Sequence, residues 1–499
     1  MDRYTRELHQ DMKHASDYTS WREAASELDR RDGLEDWKAD ETSDLYDWRL
    51  IRSRLRQIRQ YREEGAIAKL LHHLRQGLHW NLGNLGNPAL YDACRVGTKN
   101  LVREYVTEVA SALEFVCGLE SLEFPHAAKQ RFFDDLALGY GRSALMLSGG
   151  ATLGLFHVGV VKALYREGLV PPIMSGSSAG SVVCATIGSR APDEVEELLD
   201  PENAYYAFWR VLPVREMLRN GAVMDQNQLR KAIAANVKDM TFEEAHQLSG
   251  RAINITVSPA GVNQPPRLLN HLTFPYLYLR EAVLASCAVP VLFPPVMLMT
   301  QDERGERVPY MPLLRWNDGS LKSDLPILRM RRLHNVNHFI VSQTNPHVLP
   351  FVSRKEPGSQ GVANAARDYA FSTLRGQSKS IVDLVRQNLP ASGLRRSLDI
   401  ASSVLDQEYR GNINIFPEVS LWRYANVTAN PTMESIKRFM LEGERATWPR
   451  IEMIRNQTLI AQMLDACVKK LEQPQLGGKV QELVSRRPEL KVVRERGAG

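Results

Sequence analysis

The stretch ALMLSGGATLGLFHVGVVKALYREGLVPPIMSGSSAGSVVCATIG (residues 144–188) decides how this chain of 499 residues is read. Its first apolar run, 144–147, ends at Ser148-Gly149-Gly150, where the backbone can turn without side-chain obstruction. Leu155, Val158, Val161, Leu164 and Tyr165 then recur at helical spacing. Residues 170–174 read as a second strand, followed by Gly176-Ser177-Ser178-Ala179-Gly180 and another helix. The pentapeptide fits the G-x-S-x-G nucleophile elbow, a sharp strand-to-helix turn that presents a serine. Five residues are a weak signal alone. The strand, turn, helix and strand around them make it specific, and they indicate an α/β fold.

Such a turn serves nucleophilic catalysis. Gly176 and Gly180 let strand and helix approach closely while the Ser178 hydroxyl projects into a site. The N–H of Ala179 points to the same spot, and those of Gly149, Gly150 and Ala151 converge on it from the first turn. Preorganised donors of this kind stabilise an oxyanion, each worth roughly 2.7–4 kcal/mol when tested by removal.

Outward from this stretch, 43% hydrophobic and 24% charged residues describe an ordinary globular protein. The net charge of +5 is small for the size and predicts no nucleic-acid partner. Residues 1–48 hold 7 basic and 14 acidic side chains, whereas 49–75 hold 8 basic and 2 acidic. The basic stretch is expected to pair with the acidic one before it; anionic lipid is the alternative. Five cysteines without C-x-x-C spacing argue against a disulfide framework or a zinc site and for a reducing, intracellular setting. No cluster has metal-ligand spacing, and no cofactor is expected. The N-terminus lacks an apolar signal-peptide core, and the longest apolar run, 283–299, is broken by Pro290, Pro294 and Pro295. The expectation is an intracellular protein with no transmembrane segment, soluble or peripherally bound.

Four parts are expected along the chain: a helical N-terminal region (1–140), the α/β domain (141–350), a helical C-terminal extension (351–471) and a disordered tail (472–499). Ser20 and Glu23 resemble a capping box, and 77–88 is turn-rich and reads as a linker. Helices are expected over 98–117, most of 193–237, 280–288 and 432–471, and strands over 252–257 and 338–342. The amphipathic stretch 364–389 is expected to pack on its own protein, with a lipid surface as the alternative.

A serine hydroxyl needs a base. Asp318 stands in Asn317-Asp318-Gly319-Ser320, where Asp-Gly reads first as a tight turn. His157, His271, His334, His338 and His347 are also available, and spacing alone leaves the base open.

The set Ser148–Gly154, Gly176–Gly180 and Asp318-Gly319 resembles the patatin-like phospholipase family. Residues 78–88, Gly97-Thr98-Lys99, 335–347 and 448–451 are similar to the branch of fungal and plant triacylglycerol lipases that carries an extra N-terminal domain. The resemblance covers roughly residues 40–460. It implies a three-layer α/β/α domain with a serine–aspartate dyad, in which Ser178 is the nucleophile, Asp318 the base, and Gly149, Gly150 and Ala151 the oxyanion loop. It also implies acylglycerol hydrolysis at a membrane or lipid-droplet surface. Phospholipase A or lysophospholipase activity, acyl transfer and non-catalytic lipid-surface binding are the alternatives. One residue departs from the family pattern: Ala151 stands where the family has a third glycine, and a position requiring positive φ would be strained by alanine.

Overall fold

The computed structural model describes residues 2–120, 124–261, 264–346, 348, 410–418 and 427–472. His347, all of 351–409, including the amphipathic stretch 364–389, and the tail from 473 onward lie outside the described residues.

Nine short strands are described: β1 (Arg142–Leu147), β2 (Ile173–Gly176), β3 (Ala252–Pro259), β4 (Arg267–Leu269), β5 (Met299–Gln301), β6 (Arg307–Pro309), β7 (Trp316–Asp318), β8 (Val336–Ser342) and β9 (Ile413–Ile415). Seven form one sheet in the order β4-β3-β2-β1-β8-β9, with β7 also paired to β3; β5 and β6 make a separate hairpin. β2, β1, β8 and β9 run parallel to their neighbours, and β4 and β7 lie antiparallel on β3. β2 begins three residues later than expected because Pro171 and Pro172 cannot donate to a ladder.

The sheet is covered on both faces, which gives the expected three layers. β1 shows this residue by residue. Leu145 and Leu147 join the large core, whereas Ala144 and Met146 join a second cluster with Ile327, Met330 and Phe339. That alternation is the period of two of a strand buried on both sides. The helix Leu155–Arg166 connects β1 to β2, and Ala179–Gly188 follows β2 directly.

The large core does not stop at the sheet. It runs from Ala15 through Leu55, Val109 and Leu113 of the N-terminal helices to Trp448, Ile454 and Leu464 of the C-terminal ones. The helices Leu155–Arg166 and Met433–Thr447 touch backbone to backbone through two glycines. A Cβ on Gly159 would stand 1.8 Å from the Met440 carbonyl oxygen, and one on Gly443 would stand 2.2 Å from that of Phe156. Lys162 pairs beside this crossing with the buried Glu444 at 3.0 Å.

Several local expectations are corrected. Asp17, not Ser20, caps the helix Tyr18–Arg31, its side chain accepting from the Ser20 N–H. The turn-rich 77–88 is packed instead of linking: Asn84 and Asn87 donate to the Leu45 carbonyl, and Gln457 donates to that of Gly86. Residues 193–237 are mostly helical as expected, but the helices are interrupted by an extended stretch over 204–213. The basic helix Trp48–Glu63 reaches back to the acidic segment through Arg52 and Glu41. Arg59 and Arg62 instead bond Glu104 and Glu108 of the next long helix. Asp29, the buried acidic residue of that segment, is held by Lys38 and Arg95. No helix among the described residues is long and apolar enough to cross a membrane.

Candidate active site

Leu147 of β1 is in register with Gly176 of β2 and Ser342 of β8, and Gly176 with Ile255 of β3. The turns after these strands therefore leave the sheet at one level, the carboxyl edge where open α/β sheets hold ligands. Asp318 arrives at the same edge from β7, paired with Val257.

Ser178 sits at φ +47° and ψ −121°, on the turn between β2 and the helix Ala179–Gly188. A serine in this region is strained, and its surroundings hold it there. Its N–H donates to Ser286 Oγ at 2.9 Å, and the Ser177 N–H donates to the Leu147 carbonyl at 3.1 Å. The elbow is also too tight for side chains at its ends: a Cβ on Gly176 would meet the Gly180 carbonyl oxygen at 2.3 Å, and one on Gly180 that of Leu147 at 2.2 Å.

Asp318 is fully buried. Its Oδ1 accepts the Ser320 N–H at 2.7 Å, while Oδ2 has no hydrogen-bond partner. Burial pushes its pKa up to about 6. The Ser320 contacts and the neighbouring Ser178 hydroxyl favour the carboxylate, and Asp324 opposes it. A buried carboxylate with one oxygen open beside a serine can take a proton directly.

The first turn behaves differently from its expected role at one residue. The Gly149 N–H donates to Asp324 Oδ1 at 2.8 Å and is not free to hold an oxyanion. The N–H groups of Gly150, Ala151 and Ala179 meet no acceptor among the described residues. Ala151 adopts φ +50°, the left-handed region that the missing glycine would favour. Alanine there costs on the order of 1 kcal/mol.

Sequence reasoning assigned no role to the residues that hold this turn. Asp324 Oδ1 also accepts from the Ser177 hydroxyl at 2.5 Å, and Oδ2 from Asn345 Nδ2 at 3.1 Å, so one carboxylate ties turn to elbow. Thr344 closes on Gly150, where a Cβ would stand 2.1 Å from its Oγ1. Beneath the turn, His157 is wholly buried. The Ser148 carbonyl can only accept, so Nε2 carries the proton at 3.0 Å, and Nδ1 accepts from the Ser342 hydroxyl at 2.7 Å. Asp324 lies six residues after Asp318, within the same stretch, but nothing in its spacing signals the contact. His338 bonds Ser143 and His334 bonds Asn254, while His271 stacks on His246. None of the described histidines bonds Ser178 or Asp318.

A cavity of about 160 Å³ opens in front of Ser178, walled by side chains such as Leu155, Val182, Leu199, Trp209, Leu292 and Phe293. No charged residue lines it among the described residues. Trp209 is fixed at its rim: Nε1 donates to Thr152 Oγ1 at 3.0 Å, and its backbone exchanges two hydrogen bonds with the Asn430 side chain. No group of acidic, histidine and cysteine side chains among the described residues could hold a metal ion.

A strained serine between a parallel strand and a helix, facing a buried aspartate across a glycine turn, defines an α/β protein of the nucleophile-elbow class. Residues 145–330 match the family model described as patatin-like phospholipase, and residues 1–137 match a domain of unknown function, DUF3336. A triacylglycerol lipase of Schizosaccharomyces pombe is 33% identical over 490 residues, covering 93% of this chain and 98% of that protein. A triacylglycerol lipase of Arabidopsis thaliana is 35% identical over 92% of this chain, and one of Saccharomyces cerevisiae is 34% identical over 89%. The chain spans 58% and 51% of the length of these last two. The chain belongs to the patatin-like phospholipase family.

Proposed function

We propose that this protein is a serine carboxylic ester hydrolase that cleaves acylglycerols through a Ser178–Asp318 dyad. One observation carries the reading: the elbow serine opens into an apolar cavity, and its hydroxyl is the neighbour that favours the carboxylate of buried Asp318, whose Oδ2 has no other partner. Ser178 Oγ attacks the ester carbonyl as Asp318 takes its proton. The oxyanion is held by the N–H groups of Gly150, Ala151 and Ala179. The intermediate then expels the alcohol, which receives the proton from Asp318, and the acyl group stays on Ser178. Water attacks the acyl-enzyme with Asp318 again as base, the fatty acid leaves, and the proton returns to Ser178.

The cavity, lined by no charged residue among the described residues, supports a neutral acylglycerol over a phospholipid, whose phosphate would call for a cation. The names of the three relatives agree. The substrate surface is therefore a membrane or a lipid droplet.

The test is fatty-acid release from triolein and phosphatidylcholine emulsions by the wild type, Ser178→Ala and Asp318→Asn. The expected result is turnover of triolein above phosphatidylcholine, with loss of about 10³-fold or more in both variants while they stay folded. Retention of most activity by Asp318→Asn would remove the dyad. Binding of emulsions by the wild type with no hydrolysis would replace the enzyme by a lipid-binding protein.

A further inference from the structure

We infer that the exposed face built by residues 211–218 and Val291 is the surface by which this protein docks on lipid, a reading that rests on the function proposed above. The face belongs to the same two segments that wall the cavity. Trp209 lines the cavity, and the chain then runs on through Val211 into the helix Val214–Asn220. Leu292 and Phe293 line it from the other side, directly after Val291. The two segments are joined through a third: the Val223 and Met224 N–H groups donate to the Val291 and Leu292 carbonyls, and Val211 bridges Met224.

The apolar side chains here face outward. Val211 is 61% exposed, Val214 71%, Leu218 83% and Val291 74%. The helix Val214–Asn220 buries none of its residues, which is unusual for a helix carrying Val214, Met217 and Leu218 on one stripe. Val291 is held out at φ +74°, a conformation that a β-branched residue adopts only under constraint. Four such side chains on an exposed surface have no packing purpose, and exposed apolar groups gathered on one face mark interaction sites.

Two features select lipid as the occupant. The first is continuity. A water-insoluble acyl chain must pass from its own phase into the cavity, and this face adjoins the rim it would cross. The second is charge. Arg215 and Arg219 flank the stripe one turn apart, with no ion pair among the described residues; Arg210 pairs with Asp225, and Glu216 is the one acid on the helix. Apolar side chains bordered by arginine suit a helix lying in an interface with its cations at the headgroups.

The test compares the wild type with Val214→Glu/Leu218→Glu, positions so exposed that the fold does not depend on them. Two assays are run on each: hydrolysis of a water-soluble short-chain ester, and flotation with triolein emulsions and with phosphatidylcholine liposomes, with and without phosphatidylserine. The expected result is unchanged hydrolysis of the soluble ester, with emulsion and liposome binding and triolein turnover each falling about tenfold or more. Arg215→Gln/Arg219→Gln should weaken binding only to the liposomes that contain phosphatidylserine. Binding by the glutamate variant equal to wild type overturns the inference. So does a wild-type dimer that the same variant converts to monomer with lipid binding intact, since the face would then cover a second copy. Loss of soluble-ester hydrolysis in the variant would overturn it too, because the face would be part of the site. If the wild type hydrolyses no ester yet its binding depends on this face, the enzyme reading fails and the docking surface stands.

Discussion

As the proposed base, Asp318 is expected to set the working pH of the site. Burial pushes its pKa up to about 6, and in the proposed mechanism only its carboxylate accepts the Ser178 proton. Activity is therefore expected to be flat above this pH and to fall about tenfold per unit below it, read from kcat/KM on a soluble ester. Asp324 acts on the site in two ways: its charge raises the Asp318 pKa, and its Oδ1 holds the Gly149 N–H and the Ser177 hydroxyl. Asp324→Asn keeps an oxygen for both donors and loses the charge. Its acid limb should move to lower pH, with kcat on the plateau reduced by less than about tenfold. Asp324→Ala orphans all three donors, the Gly149 N–H, the Ser177 hydroxyl and the Asn345 amide, at about 1–3 kcal/mol each, and should lower kcat much further. An acid limb unmoved in Asp324→Asn would show that the two carboxyls do not sense each other.

At the scale of elements, the crossing of Leu155–Arg166 and Met433–Thr447 is the contact with least room. Gly443→Ala places a methyl against the Phe156 carbonyl, and the helices must separate to admit it. A loss of about 2–3 kcal/mol in urea unfolding is expected, whereas the same change at Gly139, a helical glycine where a Cβ meets nothing, should raise stability by about 0.4–1 kcal/mol. This contact also marks where the sequence stopped being legible. The opening strand, helix, strand and elbow could be read because glycine turns and apolar period are local signals, and Ser178 with them. Asp318 was visible as a turn, but only a family resemblance made it a base, since its pairing with Val257 joins residues 61 apart in the chain. Gly159 and Gly443 are 284 apart and carry no pattern that points from one to the other. The same holds for Asp324 and Gly149, so the donor role expected of Gly149 could not be corrected without coordinates.

The whole molecule binds its N-terminal helices, sheet and C-terminal helices into one core, and buried histidines sit along it. His157 lies under the glycine turn 148–150, His338 in β8 against Ser143, and His334 against Asn254 of β3. Burial pushes all three pKa values down to about 4 from 6.5, so they are neutral in the folded protein. An unfolded chain takes up their protons near pH 6.5. The stability they contribute is therefore complete above that value and is lost as the pH falls through about 4. Asp318 acts in the opposite sense: its raised pKa means the folded state gains a proton between about 6 and 3.8, which adds stability as the pH drops. These three histidines against one aspartate leave a net uptake of about two protons on unfolding near the middle of this range, a slope of about 2–3 kcal/mol per pH unit, and His73, also pushed down to about 4 by burial, adds to it in the same direction. The urea midpoint is expected to fall steadily as the pH is lowered from 6.5 toward 4. Asp318→Asn should fall more steeply than the wild type, because it removes the one opposing group. Its advantage, expected near neutral pH where the wild type holds a buried charge, should then shrink as the pH drops. A variant and wild type with parallel pH profiles would mean that Asp318 titrates in the folded protein as it does in the unfolded chain, and the proposed base would lose its distinguishing property.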